Sequence, residues 1–146
     1  MRNPLGNPII TSEIDYYELN KLLKKKLPQA MWTKATIYLV DRTYQLISKA
    51  EMERFLKQDL TDLQEYVAEF HDCDDFSWAL LGSISAKEWS GIAFGFAFSN
   101  THAFNIFVSD EKEVYIVEPQ RDLIWKVNEI PKQYKKYFVP IRICMM

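Results

Sequence analysis

Glycine and proline are scarce in this chain of 146 residues, at four and six. That excludes a collagen-like, low-complexity or linker-rich protein. Cysteine is scarcer still. Cys73 and Cys144 are too few for a disulfide scaffold and lack the CxxC spacing of a zinc site. No apolar run approaches the roughly 18 residues that span a bilayer, so no membrane segment is expected. The start, from Met1 to Pro8, lacks the apolar core of a secretory signal, which predicts a cytoplasmic protein. Positive charge is not in excess: 18 basic against 20 acidic residues leave a net charge of −2. The basic footprint of a nucleic-acid binder is therefore missing. Internal repeats are missing too. What remains is 48 % apolar and 26 % charged residues, a globular balance, with aromatics plentiful at 14 %. We expect a single domain over residues 1–146.

Capping patterns place the helices. The first ten residues, with Pro4, Gly6 and Pro8, read as an extended lead-in. Ser12 and Asp15 have capping-box spacing ahead of the apolar stripe Tyr16, Leu19, Leu23 and Leu27, and that helix should stop before Pro28. Its run Lys24 to Lys26 suits a helix C-terminus better than a phosphate site. Thr36 to Val40 is β-branched and aromatic and reads as a short strand. Ser48 with Glu51, and Thr61 with Gln64, start two further helices. Asp72 with Asp75 starts another, running from about Cys73 to Ala86. Beyond Gly91 the period changes from 3.6 to 2. Strands are predicted at 92–98, 101–108, 113–118, 123–127 and 136–143, so helices precede an antiparallel sheet in an α+β order.

Chemistry concentrates at three positions. Cys73 falls in the first turn of its helix, where unpaired N–H groups and the dipole favour a thiolate and could hold an oxyanion. A buried structural thiol is the plainer alternative. His102 shares a strand face with Phe104 and Ile106, whereas Ala103 and Asn105 point the other way; an imidazole there needs a polar partner. Glu118 supplies it. If residues 109–111 close a hairpin, His102 lies opposite Glu118, with Cβ atoms roughly 5 Å apart. Any register of the same parity keeps the two on one face. A thiol nucleophile, an imidazole base and an orienting carboxylate make a set suited to acyl chemistry. His71 near Cys73 is weak as a metal pair. Cys144 reads as structural, and Phe94, Phe96 and Phe98 read as core.

Around these anchors the chain resembles a known family. Asp72 to Phe76, His102 to Asn105 and Glu118 to Gln120 are similar to the papain-like C-terminal domain of the Marasmius mushroom agglutinin family, relatives of which occur as free-standing bacterial and phage proteins. The likeness runs from about Asp41 to Trp125. It implies a papain-like, transglutaminase-like fold and a calcium-dependent cysteine protease acting on a peptide or protein substrate, able to form a homodimer. It also implies Cys73 as nucleophile, His102 as base, Glu118 as orienting acid and Gln120 as a polar accessory. Asp74 and Asp75 become calcium ligands, since calcium takes hard oxygen donors; without a cation they are helix-N-terminal acids. The sugar-binding repeats of that lectin are missing. So is the usual oxyanion glutamine, with Val67 in its place and Tyr66 beside it as a substitute donor. Two further readings stay open: a non-catalytic binding or accessory module of phage or bacterial origin, and an acyl transferase.

Overall fold

The computed structural model describes residues 6–27, 35–86 and 88–146. The reading of residues 1–5 as part of an extended lead-in, and Pro28 as a helix stop, lie outside those residues. The elements are β1 (Ser12–Asp15), α1 (Tyr16–Lys26), β2 (Thr36–Leu39), β3 (Thr43–Leu46), α2 (Lys49–Gln58), α3 (Cys73–Ser85), β4 (Phe94–Phe98), β5 (Ala103–Val108), β6 (Val114–Glu118), β7 (Leu123–Lys126) and β8 (Arg142–Met145). Short 3₁₀ segments cover Thr61–Leu63 and Lys132–Phe138. No helix among the described residues is long and apolar enough to cross a membrane.

Six strands form one mixed sheet in the order β2-β8-β4-β5-β6-β7, and β1 pairs with β3 beside it. This corrects the expected fold class. The sheet is not purely antiparallel, because β2 runs parallel to β8. Nor is the N-terminal half a helical layer, since it contributes β1, β2 and β3. Strands and helices are interleaved along the chain, and the helices-first papain-like arrangement is not the one adopted.

Alternation along the strands divides the core in two. On one face Phe104, Ile106, Val108 and Ile116 pack with Leu19 and Leu23 of α1 and with Ile14 and Tyr44 of the small sheet. On the other, Phe94, Phe107, Tyr115 and Val117 meet Met52 and Phe55 of α2 and Leu80 and Ile84 of α3. Each such side chain withdrawn from water contributes about 1.5–3 kcal/mol.

Departures from the expected elements have local causes. Ser12 does not cap a helix; residues 12–15 pair with β3, burying Ile14, and Asp15 is the cap, its Oδ1 accepting from Glu18 N–H at 2.8 Å. The helix expected from Thr61 is a single 3₁₀ turn, because Leu63, Tyr66, Val67 and Phe70 are all exposed and give it no apolar face to bury. The strand expected at 136–143 is a 3₁₀ segment anchored by buried Phe138, and strand begins only at Arg142, after Pro140. Ser48 and Asp72 do begin α2 and α3, as their spacing predicts.

One buried amide joins helix to sheet. Asn105, fully enclosed on β5, donates through Nδ2 to the carbonyls of Ser77 on α3 and Gly95 on β4, both at 3.1 Å. Ser77 Oγ in turn donates to Cys73 O at 2.8 Å. Asn105→Ala strips two buried carbonyls of a donor, and we expect a loss of about 1–3 kcal/mol. A lower urea midpoint with unchanged m-value checks it; an unchanged midpoint contradicts it.

Candidate functional site

Two surface clefts meet at His102, where β5 begins and the two faces of the sheet come to a common rim. The first, of about 400 Å³, is lined by the polar side chains of Glu118, Gln120 and Arg121 and by the rings of Trp125, Tyr134 and Tyr137. The second, of about 360 Å³, is bounded by Cys73, Asp74, Trp78, Phe96 and Phe98, with His102 and Ala103 completing it.

His102 Nε2 lies 2.5 Å from Glu118 Oε2. The partnership follows from parity, not from direct opposition. Asn105 faces Val117 and Val108 faces Val114, so the connection spans Ser109 to Glu113 and the register is two residues from the expected one. Lys112 takes the left-handed conformation (φ 58°) that closes it. A shift of two preserves the face, leaving His102 diagonal to Glu118 within reach of a long side chain. The carboxylate is held a second time, its Oε1 accepting from Gln120 N–H at 3.3 Å. Phe138 and Phe104 pack against the imidazole, with ring centroids 5.4 and 6.2 Å away.

Cys73 opens α3. Asp72 is the extended N-cap, and its N–H donates to Asp75 Oδ2 at 3.1 Å. The sulfur is half-buried, and the dipole does not prevail over its surroundings. Burial pushes the thiol pKa up, and the charges of Asp72, Asp74 and Glu118 add to that, while a hydrogen bond from the Ala103 backbone opposes them. Ala103 follows His102, so this bond brings the sulfur to the imidazole's strand. Asp72 and Asp74 share a hydrogen bond that holds Asp72 below and Asp74 above the usual carboxylate range. A ligand atom from each of Asp72, Cys73 and Asp74 lies within 4.8 Å of the others. Asp75 Oδ2 accepts in the cap, and Asp72 and Asp74 are the carboxylates gathered with the sulfur. Two aspartates fill only part of the six to eight positions of calcium.

Gln120 lines the first cleft, but Tyr66 lines neither and stands exposed on the loop after Leu63. His71 Nε2 pairs with Gln64 Oε1 at 2.7 Å on the surface. Sequence reasoning missed Asn105 as the tie beneath Cys73, and Trp125, Tyr134 and Tyr137 as a cleft wall. Spacing does not reveal that group, because the pattern at 136–143 predicts a strand where Lys132–Phe138 forms a 3₁₀ segment.

A second carboxylate group lies beside the β6–β7 turn. Asp59 accepts from Thr61 N–H at 2.9 Å and from Ser83 Oγ at 2.5 Å. Asp122, with φ 52°, is pushed up to about 7 by burial and by the charges of Asp62 and Asp59.

With that geometry in place, the chain can be set beside known proteins. No protein-family model matches it, and no curated protein does. Solved structures do match. PSL1a in complex with E64 superposes with a TM-score of 0.72 at 17 % identity, covering 90 % of this chain and 50 % of that one. Polyporus squamosus lectin bound to the human-type influenza-binding epitope Neu5Acα2-6Galβ1-4GlcNAc superposes with a TM-score of 0.65, also at 17 % identity, covering 90 % and 49 %. The chain shares their fold and spans about half of their length. These matches overturn the family expectation. The fold is shared with about half of each of those two chains, and neither the Marasmius agglutinin peptidase domain nor the activity of a hydrolase or thiol protease is carried over.

Asp122 makes stability depend on pH with a definite sign. The native carboxyl keeps its proton to about pH 7, whereas the unfolded chain releases it near the ordinary 3.8. Between those values the native state binds more protons, so this contribution is complete below the lower value and is lost as pH rises through 7. We expect Asp122→Asn, measured by urea unfolding from pH 4 to 8, to gain stability relative to wild type as pH rises. A pH-independent difference contradicts it.

Proposed function

We propose that this chain is a ligand-binding module, and that its first cleft takes a polar ring of carbohydrate type. The observation that carries the reading is the gathering of aromatic rings and polar groups in one cleft at His102. Trp125 and Tyr134, nearly parallel with ring centroids 5.8 Å apart, line the same cleft as Glu118, Gln120 and Arg121. A sugar ring has the complementary character: a C–H face that lies on an aromatic ring, and hydroxyls that bond to carboxylate, amide and guanidinium at its rim. Such a site is mostly apolar with a few placed polar groups, and Glu118, fixed by His102 and Gln120 N–H, is one of them. The sialylated epitope belongs to a neighbour twice this length, so the sugar's identity is a matter for experiment.

A second reading rests on the sharing of the other cleft by Cys73 and His102. In it, Cys73 sulfur attacks a carbonyl carbon, His102 takes the thiol proton and returns it to the leaving group, and Glu118 fixes the ring. The resulting thioester is then released to water or to an amine. Calcium enters this reading through Asp72 and Asp74, by offsetting the carboxylate charge that disfavours a thiolate.

One set of titrations separates the two. N-acetylneuraminic acid, galactose and N-acetylglucosamine are added in turn while Trp125 is followed by NMR. At least one should shift the indole, and Trp125→Ala should weaken that sugar about tenfold or more. No shift with any of the three contradicts the binding reading. E64, with and without calcium, followed by intact mass, tests the second: an adduct on wild type that Cys73→Ser abolishes supports it, and an unmodified thiol in both conditions rejects it.

A further inference from the structure

Charge is unevenly placed along the chain. Residues 121–137 hold five basic side chains, Arg121, Lys126, Lys132, Lys135 and Lys136, against the two acids Asp122 and Glu129. The whole chain carries −2, so this stretch is a basic island in an acidic protein. It also supplies the three large rings of the first cleft, Trp125 on β7 and Tyr134 and Tyr137 on the 3₁₀ segment. Two of its cations are placed at that cleft. Arg121 lines it, in the turn where its backbone N–H donates to Glu118 O at 3.3 Å. Lys136 Nζ lies 5.0 Å from the centre of the Tyr137 ring, which lines the cleft as well. The carboxylates nearest Arg121 in sequence are engaged elsewhere. Glu118 accepts from His102 and from Gln120 N–H, and Asp122 is hydrogen-bonded with Asp62. Among the described residues no carboxylate pairs with the Arg121 guanidinium.

We infer that the first cleft selects an acidic sugar, with one carboxylate or sulfate ester on a ring otherwise rich in hydroxyls. This preference rests on the carbohydrate reading of that cleft and narrows it. A carboxylate meets the planar guanidinium fork through two parallel hydrogen bonds, each stronger than a neutral one. Lys136 adds positive charge beside Tyr137. Glu118 limits how much negative charge the ligand carries. Its carboxylate lines the same cleft and can only accept, so it suits hydroxyls and repels a second anion. A monoanionic sugar satisfies both signs, whereas a polyanion such as single-stranded nucleic acid brings phosphates against Glu118.

Galactose and galacturonic acid differ only in that a hydroxymethyl group of the first is a carboxylate in the second. Each is titrated at neutral pH while the Trp125 indole is followed by NMR, with N-acetylglucosamine and its 6-sulfate as a second pair. The acidic member should bind about tenfold tighter at low salt, an advantage that about 0.5 M sodium chloride reduces. A preference in either pair supports the inference and names the acid. Arg121→Gln should bring the ratio of affinities to about one, and Arg121→Lys should keep part of it. Equal affinity within both pairs overturns the acidic preference and leaves the carbohydrate reading standing. A preference that survives Arg121→Gln combined with Lys136→Gln overturns it as well, as does an oligothymidylate that binds more tightly than galacturonic acid. An indole that no member of either pair moves overturns both the carbohydrate reading and the acidic preference.

Discussion

A single buried side chain holds the two halves of the site together. Asn105 stands on the central strand β5 with no exposure and bridges carbonyls of α3 and β4 through its amide. Its Nδ2 is bonded twice while its buried Oδ1 has no partner among the described residues, so the side chain's hold on its neighbours runs through the two donated bonds. Here it fixes the first turns of α3 against the start of β5. Cys73 is thereby set beside Ala103, and His102 sits one residue away on the rim. Without that tie, α3 would rest on the sheet through apolar contacts and the Ala103 hydrogen bond to Cys73, which is half-buried where Asn105 is fully enclosed.

The rest of the site follows from strand alternation. Even-numbered residues of β5 face α1, and Asn105 and Phe107 face α3. His102 stands just before the strand, where the faces cease to be separate compartments. It reaches Glu118 on one side and helps bound the thiol cleft on the other. The aromatic residues, plentiful in the composition, are thus divided between core and cleft walls. Phe94, Phe104 and Phe107 are enclosed, whereas Trp78, Tyr134 and Tyr137 stay exposed at the mouths.

Much of this was legible in the residues. Asp72 and Asp75 announced α3 and put Cys73 in its first turn, because capping is a local interaction that spacing reveals. The His102–Glu118 pair was legible through parity even though the register moved by two. What escaped is non-local. The parallel pairing of β2 with β8 joins residues more than a hundred positions apart, and no local pattern encodes it. Ser12 to Asp15 carries a capping pattern and is nevertheless a strand, because β3 was available to pair with it. Family likeness built on short anchors failed in the same way. It carried a helices-first peptidase architecture to a chain whose mixed sheet superposes on about half of PSL1a and half of Polyporus squamosus lectin at 17 % identity.

The central claim is that Cys73 and His102 belong to one site held by Asn105. With only two histidines in the chain, His71 and His102, ring nitrogens are readily distinguished by heteronuclear NMR. Methylthiolation of Cys73 should shift the His102 ring resonances and leave Gln64-bonded His71 the less affected, and Asn105→Ala should diminish the His102 response. A response confined to His71, or an unmoved His102, contradicts the account.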